Sequence, residues 1–183
     1  AARRRPRRRG VGGLTADLSC SARSSAPLPS GEWVALLPGS KRAKLQVGMP
    51  FLLRCAEALR TLRPQTQFLL ALAPTTTVAE LQAFAGPSNP LQRFYGTQEP
   101  ELIEQDGQRW LVSSGGARIL LVEEHPAHGP LSQCALALTT VGANTAELGA
   151  LGVPMLVLLP TQHLHVMQAW DGWFGLVARL PLL

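Results

Sequence analysis

The sequence predicts an α/β fold in which helices cover both faces of a parallel sheet. Short apolar runs alternate with helical patterns, in the order βαβα, an irregular stretch, and βαβα again. The clearest unit is residues 135–170, which we interpret as strand, glycine turn, short helix, strand and second polar turn. Parallel strands place their carboxyl ends at one edge of a sheet, where α/β domains bind ligands. This unit therefore predicts a ligand site built from its two polar turns.

The first half of the domain follows the same alternation. The predicted elements are strands at residues 33–37 and 68–73, and helices at residues 45–62 and 77–84. The first helix carries apolar residues at three- and four-residue spacing, which is typical of a helix with one buried face. Pro50 predicts either an irregular first turn or a helix that starts there. One of the threonines at 75–77 is expected to cap the second helix.

The middle of the chain carries few signals. Residues 86–106 are predicted to be rich in loops, and residues 109–113 and 118–122 are predicted as two strands around a Ser-Ser-Gly-Gly turn. A buried strand at residues 135–138 ends at the two threonines that follow it. Asn144 is expected to cap a helix that runs to about Leu151, where Gly152 stops it. A second buried strand is predicted at residues 155–159.

Composition indicates one globular domain that follows a basic N-terminal segment. The chain has 183 residues, of which 46% are hydrophobic, and six of its 17 basic residues are arginines within residues 3–9. Without these six, 11 basic residues face 12 acidic ones, so the body is nearly neutral. We expect residues 1–31 to be a disordered linker or the edge of a fragment, and residues 32–183 to be the folded domain. The arginine run is the only feature that favours nucleic acid or an acidic membrane surface.

The cysteines and the apolar runs indicate in which cellular compartment the protein is expected. Cys55 and Cys134 lie in apolar segments, and the total of three cysteines favours reduced thiols in a cytosolic protein. No apolar run reaches the twenty or so residues that a membrane span needs. No signal peptide or metal-ligand spacing is evident, and no cofactor is predicted.

The turn at residues 38–42, Pro-Gly-Ser-Lys-Arg, follows the first strand and precedes a helix. Backbone N–H groups, the Ser40 hydroxyl and the cations of Lys41 and Arg42 fit an anion such as phosphate. The pattern is not a Walker A sequence, since the second glycine followed by Lys and Ser or Thr is missing. An ordinary strand-to-helix turn with a solvated basic face explains it equally well.

Glu147 has two interpretations. It lies three residues beyond Asn144, which fits a capping box, but an acidic residue there also fits a ligand for a pair of ribose hydroxyls. Gln162, with His163, His165 and Gln168 after it, follows the last strand and would line the same cleft. Because no Asp-x-Asp occurs, a diphosphate held through a carboxylate-bound metal is not indicated.

Two motifs carry a family resemblance. LLPGSKRAK at residues 36–44 resembles the LLPGSR segment of the lipid-A-disaccharide synthases and synthase-related proteins, and TTVGANTAELGALGVPMLVLLP at residues 139–160 resembles their second signature. Pro-Thr-Gln-His at 160–163 and Gln-Ala-Trp at 168–170 are similar to motifs of the related glycosyltransferase that makes the peptidoglycan lipid precursor. The resemblance covers roughly residue 33 to the end.

The resemblance implies the C-terminal, Rossmann-like half of a GT-B glycosyltransferase. Such an enzyme is expected to be inverting and metal-independent, and to transfer a sugar of the N-acetylglucosamine type from a UDP-sugar donor to a lipid-linked sugar acceptor. It also implies a cytoplasmic protein with peripheral membrane association, no nucleic-acid partner, and a catalytic base in an N-terminal domain outside this fragment. The implied donor-binding residues are Gly39, Ser40, Lys41, Arg42, Thr140, Gly142, Asn144, Thr145, Glu147 and Gln162.

The sequence departs from the synthases at two places. Lys41 stands where they commonly have Arg, and Thr140-Val141-Gly142 replaces their Ser-Gly-Thr, so the donor and acceptor stay open. The alternatives are a UDP-sugar epimerase with a similar half and a noncatalytic binding module led by the arginine run. An epimerase would turn over donor without acceptor, whereas binding through the arginines would depend steeply on salt.

Overall fold

The structure, a computed structural model, describes residues 27–163. Within them the strands are β1 (Trp33–Leu37), β2 (Gln67–Ala71), β3 (Glu101–Gln105), β4 (Gln108–Val112), β5 (Arg118–Val122), β6 (Leu136–Thr140) and β7 (Met155–Leu158). The helices are α1 (Arg42–Leu62), α2 (Val78–Ala85), α3 (Pro90–Tyr95), α4 (His128–Ser132) and α5 (Ala143–Ala150), followed by a 3₁₀ turn at Thr161–His163. The predicted α/β fold is confirmed.

The described strands form one sheet in the order β3-β4-β5-β2-β1-β6-β7. The five strands from β5 to β7 in this order are parallel to one another, as predicted. The other end departs from the predicted parallel sheet, because β4 runs antiparallel to both β3 and β5. The two-residue turn between β3 and β4, Asp106 and Gly107, has positive φ at both positions, and such a turn reverses the chain at once.

The parallel strands are buried on both faces because their side chains alternate between two cores. Val34 and Leu36 of β1 pack with α1 and α2 on one face. Trp33, Ala35 and Leu37 pack with α4 and α5 on the other face. Helices on both faces therefore match the prediction, and the near-continuous apolar runs of β1 and β2 follow from this double burial.

Helix α1 begins three residues before the predicted start and continues through Pro50. Proline has no N–H to donate to the carbonyl four residues earlier, which leaves the Gln46 oxygen without its helical partner. The buried amide of Asn89 fills this position, since its Nδ2 donates to the oxygens of Gln46 and Phe84, both at 2.7 Å. Asn89 therefore joins α1 to the segment between α2 and α3 while its Oδ1 caps α3.

The capping predictions had different outcomes. Thr77 caps α2 in a capping box with Glu80, as expected for one of the threonines at 75–77. Asn144 is not a cap, because α5 begins at Ala143 with Gly142 at the N-cap position and no side-chain cap bond. The capping box between Asn144 and Glu147 was therefore wrong. Gly152 ends the helix as predicted, with a φ of +69°.

Strand β7 is less buried than predicted. Leu156 is 53% exposed and Val157 is 38% exposed, although both lie in an apolar run. Within residues 27–163, β7 pairs with β6 alone, so it is an edge strand of the described sheet. An apolar run indicates burial but does not tell a central strand from an edge strand.

Both described cysteines are free thiols, as predicted. Burial raises the pKa of the Cys134 thiol to about 12. The arginine run, Cys20, the predicted cleft residues His165 and Gln168, and the Gln-Ala-Trp motif at residues 168–170 lie outside the described residues.

Candidate functional site

A crevice opens at the carboxyl ends of β1 and β6. These neighbouring strands are parallel, with Leu37 opposite Thr139. The chain leaves β1 toward α1 on one face of the sheet, and it leaves β6 toward α5 on the opposite face. In open α/β sheets this divergence creates the crevice where ligands bind. The turns at residues 38–41 and 141–142 form its two walls.

The wall after β1 is a close backbone turn against α1. Gly39 has a φ of +98°, and a Cβ placed there would lie 2.8 Å from the Cβ of Lys44. Gly48, inside α1, allows the Pro38 carbonyl to approach, because a Cβ at Gly48 would lie 2.6 Å from that oxygen. The helix begins directly behind this turn without a side-chain cap. Its first N–H groups and the positive end of its dipole therefore suit an anion.

The wall after β6 is tied to the first wall by buried polar groups. The Thr140 hydroxyl donates to the Pro38 oxygen at 3.2 Å, and Thr140 is 1% exposed. The Thr145 hydroxyl donates back to the Gly142 oxygen at 2.7 Å and stabilises the start of α5. Both hydroxyls are therefore engaged with backbone oxygens, and both threonines shape the crevice.

Lys44 crosses the crevice. Its Nζ donates to the Val141 oxygen at 2.8 Å, and a Cβ at Gly142 would lie 2.7 Å from the same nitrogen. Partial burial lowers the pKa of the Lys44 ammonium below its usual 10.5, and the charge of Lys41 lowers it further. The Lys44 ammonium is thereby held between the two turns, where its positive charge would stabilise a bound anion.

A cavity of about 590 Å³ lies beside the crevice, a size typical of small-molecule sites. Its walls come from the turn after β1, the end of β2, the connection from β5 to α4, and α5. Four of the predicted donor-binding residues line it together, namely Gly39, Ser40, Asn144 and Glu147. Much of the remaining lining is apolar, and Leu37, Leu72 and Leu131 are examples.

Glu147 faces this cavity and pairs with a buried histidine. Its Oε1 lies 3.0 Å from the Nε2 of His128, and the two side chains are 35% and 10% exposed. A partly exposed carboxylate at a cavity wall is able to accept hydrogen bonds from hydroxyl groups.

The remaining predicted residues lie elsewhere or face other groups. Arg42 pairs with Glu80 at 3.2 Å and lies over the Phe84 ring, on the α2 side of α1. Lys41 is exposed at the start of α1. Gln162 donates to the Tyr95 hydroxyl at 3.5 Å, beside the ring of His163, and neither Gln162 nor Tyr95 lines the cavity.

Sequence reasoning missed Lys44 and His128. Lys44 would have been found by starting α1 at Arg42, which places it in the first turn, behind the glycine of residue 39. His128 carries no local signal, because its partner is 19 residues away on another helix. Only the packing of α4 and α5 onto the same face of the sheet brings them together.

Two searches of the described residues were negative. No group of three His, Cys, Asp or Glu side chains in residues 27–163 has the arrangement of a metal site. None of the helices in this range is long and apolar enough to cross a membrane.

The chain is similar to lipid-A-disaccharide synthases, which confirms the predicted resemblance. The synthase of Alteromonas mediterranea is 31% identical over 106 residues, covering 54% of this chain and 27% of the relative. That of Anaeromyxobacter dehalogenans strain 2CP-C is 34% identical over 96 residues, covering 52% and 25%. The Geobacter sulfurreducens synthase is 23% identical over 130 residues, covering 71% and 27%.

The matched region is a small part of each relative. The chain spans about a quarter of the length of these curated relatives. No protein-family model matches it.

Proposed function

We propose that this chain is the donor-binding half of a GT-B glycosyltransferase. In this proposal a UDP-sugar, of the N-acetylglucosamine type, binds in the crevice between β1 and β6 and the neighbouring cavity. The observation that carries the proposal is the position of Glu147, on the wall of a cavity of about 590 Å³ at the point where the chain diverges from the sheet. The similarity to lipid-A-disaccharide synthases supports the same reaction class.

Different residues bind different parts of the donor. Glu147 accepts the ribose hydroxyl groups, and the apolar part of the cavity takes the uracil ring. Gly39, Ser40 and Gly142 approach the diphosphate, together with Asn144 at the start of α5. Thr140 and Thr145 support these turns through their hydrogen bonds to backbone oxygens. Lys41 and Lys44 supply positive charge at the same edge, whereas Arg42 needs to leave Glu80 to take part.

The chemistry follows from charge on the leaving group. When the sugar is transferred, the UDP that departs carries more negative charge than it did in the donor. Backbone N–H groups, the dipoles of α1 and α5, and the ammonium of Lys44 stabilise that charge without reorganisation, which lowers the barrier. A carboxylate-bound metal has no part in this proposal, and transfer is inverting.

In this proposal, the acceptor-binding site and the catalytic base lie in a region that this chain does not contain. We place the base in an acceptor-binding domain, on a longer protein, and take the acceptor to be a lipid-linked sugar. Gln162, in the 3₁₀ turn that follows β7, needs to leave Tyr95 to approach the donor sugar from the same edge of the sheet. A lipid-linked acceptor also brings the enzyme to the cytoplasmic face of a membrane as a peripheral protein.

Calorimetric titration of the chain with UDP, UMP and uridine tests this proposal. We expect UDP to bind, UMP to bind more weakly and uridine more weakly still, with amide NMR shifts confined to the turns after β1 and β6 and to α5. Absence of UDP binding, or shifts at another surface, would contradict it. On a longer protein, turnover of UDP-N-acetylglucosamine without any acceptor would favour the epimerase instead.

A further inference from the structure

His128 is held in a fixed place beside the proposed nucleotide site. It is the first residue of α4, it is 8% exposed, and its Nε2 lies 3.0 Å from Oε1 of Glu147. The two helices that carry this pair are anchored in one core by Leu131 of α4 and Leu148 of α5, which are 2% and 0% exposed. The backbone at both ends of the contact is therefore fixed by packing.

The side chain of Glu147 is less constrained than its backbone. It projects to the cavity wall and is 35% exposed, with three rotatable bonds between the backbone and the carboxylate. Within residues 27–163, the structure gives this carboxylate one ionic contact, and that contact is with His128. Its orientation toward the cavity thus depends on the histidine.

We propose that His128 is a positioning residue, which holds the Glu147 carboxylate in the orientation that accepts the ribose hydroxyl groups of the nucleotide. The inference rests on the proposed function. A carboxylate has about four lone-pair sites, so Oε1 keeps its contact with Nε2 of His128 while Oε2 and the remaining lone pair of Oε1 face the ligand. Without His128, each binding event has to order a mobile glutamate, and the entropy of that ordering weakens binding.

The test compares two nucleotides that differ only at the ribose. The full chain and its variants His128→Ala and His128→Gln are titrated calorimetrically with UDP and with 2′,3′-dideoxy-UDP, which lacks both hydroxyl groups. The Gln variant is the matched control, because its side-chain N–H₂ is able to donate from nearly the same place as Nε2. Thermal unfolding of each variant checks that the fold is retained.

We expect His128→Ala to weaken UDP binding about tenfold and to leave dideoxy-UDP binding unchanged, while His128→Gln restores most of the difference. Equal weakening for both nucleotides would overturn the positioning role in favour of a structural one, and so would unchanged UDP binding in His128→Ala. If neither variant folds, loss of UDP preference over dideoxy-UDP in a His128→Asn variant decides the same question. A wild-type chain that binds dideoxy-UDP as tightly as UDP overturns this inference together with the ribose role of Glu147, but it leaves the proposed nucleotide site standing. A chain that binds neither nucleotide overturns the proposed function as a whole.

Discussion

The ammonium of Lys44 lies 2.8 Å from the carbonyl oxygen of Val141 and so connects the first turn of α1 to the turn after β6. These two segments leave adjacent strands toward opposite faces of the sheet. The lysine stem lies against Gly39, and its nitrogen lies beside Gly142. Lys44 therefore connects the two walls of the crevice, as the Thr140 hydroxyl does, and places a charge between them.

The pKa of Lys44 is the first prediction. Partial burial, and secondarily the charge of Lys41, lower it below 10.5, so we expect the ammonium to lose its proton at a lower pH than an ordinary lysine. NMR titration of the chain with labelled lysine side chains measures this directly. Lys41→Gln should raise the pKa only part of the way back, because desolvation is the larger cause.

Proton linkage determines how the contribution of Lys44 to folding stability changes with pH. Between the lowered pKa and 10.5 the unfolded chain binds more protons at this position than the folded chain, so the contribution of Lys44 to folding stability rises with pH across that interval. A diphosphate bound in the crevice should raise the pKa of Lys44 and cause proton uptake. A Lys44 pKa at or above 10.5 in the free chain would refute this description of the crevice.

Asn89 provides a prediction about stability. Its amide donates to Gln46 and Phe84, and Asn89→Leu leaves both carbonyls without these bonds in a buried place. We expect the free energy of unfolding to fall by about 3–5 kcal/mol, from these two bonds of roughly 1–2 kcal/mol each and from the lost Oδ1 cap of α3, of about 1 kcal/mol. Urea denaturation measures the change.

Ser88→Ala is the control for Asn89. Ser88 also donates to a carbonyl, that of Ala83, but from an exposed position, so water replaces the bond and the loss should stay within about 0.5 kcal/mol. Equal losses for the two variants would show that the Gln46 carbonyl, which Pro50 leaves without its helical partner, does not depend on Asn89 for stability.

Replacing two helical glycines by alanine should change the free energy of unfolding differently at the two positions. Gly48→Ala in α1 places a Cβ 2.6 Å from the Pro38 oxygen, which is backbone and unable to rotate away, so we expect a loss of more than about 2 kcal/mol. Gly149→Ala in α5 meets only Met155 at 3.9 Å, so the better helix propensity of alanine should leave stability unchanged or raise it by up to about 1 kcal/mol.

Thermal and urea unfolding of both glycine variants gives the comparison. A Gly48→Ala protein as stable as the wild type would mean that the turn after β1 does not rest on α1. The crevice wall would then have another support.

Local sequence patterns predicted most of the parallel part of the fold. Strand β1 has its predicted ends, Thr77 caps α2, and Gly152 ends α5, because each depends on residues a few positions apart. Strands β4 and β5 were predicted, but β3 was missed because residues 86–106 were expected to be rich in loops. Asp-Gly at residues 106 and 107 is a strong signal for the tight hairpin that β3 forms with β4. The exposure of β7 could not be predicted, since it depends on which strands pair beside it.

The candidate site was predictable only where the topology was. The resemblance implied that the turns at residues 38–42 and 139–142 share a site, and the parallel strands β1 and β6 bring them to one edge of the sheet. The second polar turn, at residues 160–163, was expected to line the same cleft, but Gln162 contacts Tyr95 and does not line the cavity. The orientation of single side chains was beyond such reasoning. Arg42 turns to Glu80, and Glu147 pairs with His128 instead of closing a capping box.

The most direct test of the donor-binding proposal is the affinity of UDP for Glu147→Ala and Glu147→Gln, measured by calorimetry beside 2′,3′-dideoxy-UDP. Both variants should keep the wild-type fold, because the carboxylate is partly exposed at the cavity wall. The proposal predicts that UDP binding falls by at least about tenfold in each variant while dideoxy-UDP binding is unchanged. Unchanged UDP affinity in both variants would contradict it.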